Sequence, residues 1–209
     1  MVNMTSKTGK NNKICLVSCS VLKKELQKLV KEGKLDAELV FVSKNFHVDY
    51  KVLENNLRKV LEHTKKRGTD EIILAYGDLC LGTNGEMKKL AEEYGVAKID
   101  ALNCIDCQLG GNGAFEAADP EHHLMFMGPG MIEFFKDMKA NLLQQGFDEL
   151  SFAGMFSGVK GFVILDTCGD GEKWNAELEK IGMGVPVIET RKIGCGGVLS
   201  VVADAINHA

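Results

Sequence analysis

Four cysteine-bearing segments stand where apolar runs end: Val17-Ser18-Cys19, Tyr76-Gly77-Asp78-Leu79-Cys80, Asn103-Cys104-Ile105-Asp106-Cys107 and Asp166-Thr167-Cys168-Gly169. A thiolate is both a nucleophile and a strong ligand for borderline-soft cations, so sulfurs gathered from distant parts of a chain point to a metal or a reactive thiol. Cys19 precedes a predicted helix start, where the helix dipole favours the thiolate. His47 follows the second apolar run, and a neutral imidazole completes many zinc sites that keep one position open. Cys104 and Cys107 form a C-x-x-C, a spacing that suits two ligands on one metal or a redox disulfide. Cys168 is a further ligand or redox candidate. Cys15 lies inside an apolar run and is expected to be a small buried hydrophobe.

Three glycine-rich loops add a second kind of candidate: Leu109-Gly110-Gly111-Asn112-Gly113, Cys168-Gly169-Asp170-Gly171 and Gly194-Cys195-Gly196-Gly197. The last precedes a helix, whose free amides suit a phosphate or carboxylate. Gly110, Gly111, Gly196 and Gly197 are therefore candidates for holding substrate or anion. None of the loops matches G-x-G-x-x-G or the phosphate-binding loop with its Lys and Ser/Thr, which argues against nucleotide hydrolysis. Asp106, Asp166 and Asp170 are expected to cap helices or face solvent, Asp170 above all because it precedes a helix. His63, His122 and His123 sit in charged or turn-like surroundings and have weaker claims to a site.

These residues need elements to position them. Apolar and amphipathic runs alternate with turn signals between them, the pattern of βα units. Strands are predicted at 13–18, 37–42, 71–75, 99–102, 123–127, 161–165 and 185–188. Helices are predicted at 21–33, 49–67, 86–94, 131–145, 149–156, 172–181 and 198–207. The expected fold is α/β: one open, mostly parallel, Rossmann-like sheet flanked by helices, with the site at the C-terminal ends of the strands. Residues 1–12 read as a polar tail and 13–209 as one domain, with a weakly marked subdivision near Gly146.

Composition bounds the rest. A chain of 209 residues that is 45% hydrophobic and 26% charged, with net charge -4, reads as an ordinary globular protein with a mildly acidic surface. Its lysine clusters, 7–13 and 65–67, lack interleaved aromatics, so nucleic acid is not expected as a partner. No segment has the apolar core of a signal peptide or the length of a membrane span, which predicts a cytoplasmic protein with no membrane partner. Seven cysteines there are expected to be thiols or metal ligands, and the odd number argues against a fully paired disulfide framework.

Taken together, Cys19 with Val21-Leu22-Lys23-Lys24-Glu25, His47, Tyr76-Gly77-Asp78-Leu79-Cys80-Leu81-Gly82 and Cys104-Ile105-Asp106-Cys107-Gln108-Leu109-Gly110 resemble the prokaryotic family known as domain of unknown function 1638. The likeness runs over most of the chain, through Met125-Phe126-Met127-Gly128 and the Asp166-Thr167 strand. The family pattern has a cysteine after the first strand, a histidine after the second, Tyr-Gly-x-Cys-Gly after the third and Cys-Ile before a glycine turn. These fall on Cys19, His47, Cys80 and Cys104. This chain has one residue more before Cys80, and Pro129 where the family tends to have tryptophan. The resemblance implies proximity to methylamine and corrinoid methyltransferase systems of anaerobes.

The expectation that follows is a metal-thiolate enzyme, with zinc as the first metal, of anaerobic one-carbon or sulfur metabolism. Its ligands are Cys19, His47, Cys80 and Cys104, and it activates a small-molecule thiol for methyl transfer from a methyl donor. Two alternatives stand beside it. One is a non-catalytic carrier or chaperone of a corrinoid or an iron-sulfur cluster, working with a corrinoid protein. The other is a thiol oxidoreductase using Cys104 and Cys107. Oligomeric state is open.

Overall fold

A computed structural model describes residues 14–69 and 71–209. The expected polar tail and the lysine cluster at 7–13 lie outside the described residues. Strands β1 (Ile14–Cys19), β2 (Ala37–Val42), β3 (Ile72–Ala75) and β4 (Ala97–Lys98) form a parallel sheet in the order β2-β1-β3-β4. A second parallel sheet has the order β5-β6-β7, from Leu124–Met127, Gly161–Asp166 and Val187–Lys192. Parallel strands with covering helices confirm the α/β, Rossmann-like architecture. The single sheet expected from sequence is instead two.

Side-chain alternation divides the first sheet into two buried faces. Cys15, Val17 and Cys19 of β1 pack with helices α2 (Tyr50–Lys66) and α3 (Glu86–Tyr94). Leu16 points the other way, toward α1 (Lys23–Lys31) and α9 (Gly196–Asn207). In α2, Leu53, Leu57 and Leu61 recur every fourth residue and are fully buried, each worth roughly 1.5–3 kcal/mol of apolar burial. Asp49 caps this helix by accepting from the backbone amides of Lys51 and Val52 at 2.9 and 3.2 Å. Gly33 and Gly68 follow α1 and α2 with positive φ, as their stop signals predict.

The second sheet carries its main core on the face covered by α6 (Pro129–Gln144), α7 (Glu149–Gly154) and α8 (Gly171–Ile181). There Phe162 and Ile164 meet Phe135, Phe152 and Trp174. Its other face takes Ile105 from α4 (Cys104–Leu109) and Phe115 from α5 (Ala114–Ala118). Helix α4 is the wedge between the sheets: Ile105 enters the core of the second while Cys107 enters the core of the first. With a helix between them, β4 and β5 cannot pair. The last helix, α9, crosses back from the second sheet to cover the first. Gly146 lies in the turn between α6 and α7 with positive φ.

Three element boundaries differ from expectation for local reasons. Residues 99–102 were expected as a strand, but only Ala97–Lys98 pairs with β3. The backbone of Ala101 and Leu102 accepts instead from the amides of Asp78 and Leu79, both at 2.9 Å, in the loop after β3. Helix α6 begins at Pro129, because proline at the first helical position loses no hydrogen bond. Strand β7 runs later than predicted and exposes Glu189 and Lys192, charges that blunt a sheet edge. Among the described residues no helix is long and apolar enough to cross a membrane.

Candidate functional site

The C-terminal ends of β1, β2 and β3 open onto one cavity of about 220 Å³, bounded by Cys19, His47, Tyr76, Cys80, Cys104 and Met131. Each reaches it by a different local device. Cys19 is the last residue of β1, and its Sγ accepts the Val21 amide at 3.4 Å, opening a short 3-10 turn at Ser20–Leu22. His47 belongs to the 3-10 turn Lys44–Val48 after β2. Cys80 lies in a third such turn, Asp78–Leu81, after β3. Cys104 is the first residue of α4, whose N-cap Asn103 accepts from the Ile105 and Asp106 amides at 2.9 Å.

Gly77 explains how the Cys80 and Cys104 segments come together. A Cβ on Gly77 would fall 2.4 Å from the Leu102 carbonyl oxygen, so only glycine lets the two backbones run side by side. On the far wall, a Cβ on Gly130 would lie 2.0 Å from the Val21 carbonyl oxygen. This contact seats the start of α6, with Met131, against the turn that follows Cys19.

Burial holds the thiols and the imidazole of the cavity in their uncharged forms. Burial pushes the Cys19 thiol up to about 12 and the Cys80 thiol up to about 11. Cys104 is pushed well above the usual thiol range, first by burial and then by the neighbouring Cys80 and Cys19 sulfurs. Tyr76 is raised for the same reasons, and burial lowers His47. Near neutral pH the three thiols are therefore protonated and the imidazole is uncharged. None of these sulfurs is a nucleophile by itself. At the edge, burial pushes the Asp78 carboxyl up, but the Lys98 and Lys88 ammoniums outweigh it and hold the group below its usual range.

His47 stacks near Tyr76, its ring centroid 6.1 Å away and 13° from parallel. Its Nδ1 stands 3.2 Å from the Lys44 carbonyl oxygen and 3.8 Å from Cys19 Sγ. A carbonyl only accepts, so Nδ1 carries the proton and Nε2 keeps the free lone pair. The Tyr76 hydroxyl is buried without a hydrogen-bond partner, a polar group that a ligand could satisfy at a gain. Three thiols, an imidazole and this unpartnered hydroxyl make a donor set of the right chemistry for zinc. Among the described residues, however, no three or more His, Cys, Asp or Glu side chains stand ready-made as a metal site. Binding a cation would require the sulfurs to draw inward.

The other sequence candidates lie elsewhere. Cys107, three residues after Cys104, is fully buried in the core of the first sheet and does not line the cavity. Cys168 packs against that same core from the turn after β6. Cys15 is a buried core residue.

The glycine candidates have packing duties. The amides of Gly110 and Gly111 donate to the Asp106 carbonyl oxygen, and the cleft beside them is lined by Asp100 and Asp204, which repel an anion. A Cβ on Gly197 would meet the Gln108 carbonyl oxygen at 2.3 Å, so Gly197 lets α9 start against α4. Gly196 opens that helix.

Asp106 is buried and accepts the Leu102 and Phe115 amides, and Asp166 accepts those of Gly169 and Asp170. Asp170, the strongest cap candidate by sequence, makes no side-chain cap bond and leaves Oδ1 buried without a partner. His122 and His123 pair with Glu116 and Glu121 on the surface.

Sequence reasoning missed two residues of the cavity and one buried carboxylate outside it. Tyr76 was visible only as part of its glycine motif, and Met131 only as a residue beyond a break. Glu25, fully buried on α1, was hidden in a helix that reads as ordinary and amphipathic.

Neither a curated protein nor a solved structure matches this chain. A family profile described as protein of unknown function, DUF1638, matches residues 41–190 and takes in His47, Tyr76, Cys80 and Cys104; the chain belongs to that family.

Proposed function

We propose that the cavity is a zinc-thiolate centre that activates a small-molecule thiol for methyl transfer. The observation that supports this is the meeting of Cys19, His47, Cys80 and Cys104, from four separate segments, around one small cavity. Zinc held there by three of these four side chains would keep its cysteine ligands as thiolates and, at the open fourth position, lower the pKa of an incoming thiol. The chain's own residues supply the rest. Val21, Ile99 and Phe134 line the cavity and keep water from the reacting sulfur. In this reading the unpartnered Tyr76 hydroxyl hydrogen-bonds a polar atom of the bound thiol, and the Lys44 carbonyl holds the His47 ring so that Nε2 keeps its lone pair.

A whole corrinoid is much larger than this cavity, so a corrinoid methyl donor would be presented at the mouth by a partner protein. All seven cysteines are free, in keeping with a reducing compartment, and we place the chemistry in the cytoplasm. The test is elemental analysis of protein purified without oxygen. About one zinc per chain is expected, lost in Cys19→Ser and in Cys80→Ser. With cobalt in place of zinc, the thiolate charge-transfer absorption should grow when 2-mercaptoethanol is added. Wild-type protein without stoichiometric metal, together with a Cys19→Ser/Cys80→Ser variant of unchanged metal content and stability, would overturn the proposal.

A further inference from the structure

A second pair of thiols lies on the opposite face of the first sheet from Cys19, in the core shared by α1 and α9. The backbone brings the two together. The Asp166 carbonyl oxygen at the end of β6 accepts the amides of both Ile193 and Gly194 at 3.1 Å, which pins the loop before α9 against the turn after β6. Asp166 Oδ1 accepts the amides of Gly169 and Asp170 at 2.6 and 3.0 Å and fixes that turn. Cys195 Sγ then donates to the Thr167 carbonyl oxygen at 3.1 Å, and the Thr167 hydroxyl donates to Cys168 Sγ at 3.6 Å. Lys28 Nζ donates to the Cys168 carbonyl oxygen at 2.9 Å, placing a positive charge beside the pair.

The two thiols are unequal. Cys168 is half-buried and reachable from solvent, while Cys195 is buried. The neighbouring Cys195 thiol is the main influence holding Cys168 below the usual range, against burial and the Glu25 and Asp170 charges. The neighbouring Cys168, together with burial, drives Cys195 upward. An accessible thiol beside a buried one is the division of labour of a nucleophile and its resolving partner.

We propose that Cys168 and Cys195 form a reactive dithiol that reduces low-molecular-weight disulfides and closes to an internal disulfide. The Cys168 thiolate bonds to one sulfur of the small disulfide, and the other sulfur leaves as a thiolate that takes up a proton. Cys195 loses its proton to solvent and attacks the Cys168 sulfur, expelling the second small thiol. Two protein thiols are oxidised, one disulfide is reduced to two thiols, and no other reactant is needed. The new bond would tie the end of β6, in the second sheet, to the helix that covers the first.

The test uses the full chain with 2-hydroxyethyl disulfide as oxidant and mass mapping of peptides. Wild type should lose two hydrogens and yield a peptide cross-linked between Cys168 and Cys195. Cys195→Ser, which keeps a donor for the Thr167 carbonyl, should stop at a stable hydroxyethyl adduct on Cys168. In the reduced protein, iodoacetamide should modify Cys168 at least ~10-fold faster than any other cysteine. The proposal is overturned if wild type accumulates the adduct without the cross-link, if Cys195→Ser gives the same product as wild type, or if another cysteine reacts first. Cys168→Ser should leave the metal content of the cavity unchanged, so this result and the zinc result fail separately.

Discussion

Replacing Glu25 with glutamine should change how stability depends on pH. Glu25 has no exposed surface; its Oε1 accepts from Thr167 Oγ1 at 2.7 Å and from Gln108 Nε2 at 2.9 Å, and its Oε2 has no partner. Burial raises its pKa, and the hydrogen bonds from Thr167 and Gln108 offset this only in part. In the unfolded chain the same carboxyl titrates near ~4.3. Between that value and the folded one the native state holds the extra proton. The stability that Glu25 contributes is therefore complete below ~4.3 and falls as pH rises through the folded pKa. One proton gives a slope of at most about 1.4 kcal/mol per pH unit.

Glutamine keeps a carbonyl acceptor for Thr167 and Gln108 and has no proton to lose, so that slope should vanish. Urea denaturation of both proteins at a series of pH values gives the difference directly. Wild type should lose ground to Glu25→Gln steadily as pH rises from mildly acidic toward neutral. A difference that stays constant across the series would refute the reasoning. Its meaning would be that Glu25 has the same affinity for protons folded and unfolded, which full burial with one unpartnered oxygen does not allow.

Gly130→Ala should lower stability by about 1–3 kcal/mol or more, because its Cβ has no room against the Val21 carbonyl and α6 must move off the turn after β1. Urea midpoints check this against Gly154→Ala, where nothing lies within 4 Å of the added carbon and the effect should be near zero. Asp106→Asn should cost roughly 1–3 kcal/mol in the same assay. Its two oxygens accept the amides of Leu102 and Phe115 at 2.8 and 2.9 Å, and an amide nitrogen would turn a donor toward one of them.

What the sequence determined is local. The alternation of apolar runs with amphipathic stretches specified parallel strands and covering helices, and it located Cys19, His47 and Cys80 just beyond strand ends, where parallel sheets open their clefts. It also marked α2 through Leu53, Leu57 and Leu61, and the family through the segments around His47, Cys80 and Cys104.

Only the tertiary structure decided what depends on distant pairing. Periodicity shows that a strand exists but not which strand it joins, so one expected sheet became two once α4 stood between β4 and β5. Cys104 and Cys107 share a motif and one face of α4, yet Cys104 at the start of the helix lines the cavity while Cys107, one turn further on, is buried in the core. Glu25 meets Thr167 and Gln108 through crossovers that return later parts of the chain to its beginning. Such contacts join residues whose local sequence carries no sign of each other, because they exist only when both sheets are already folded.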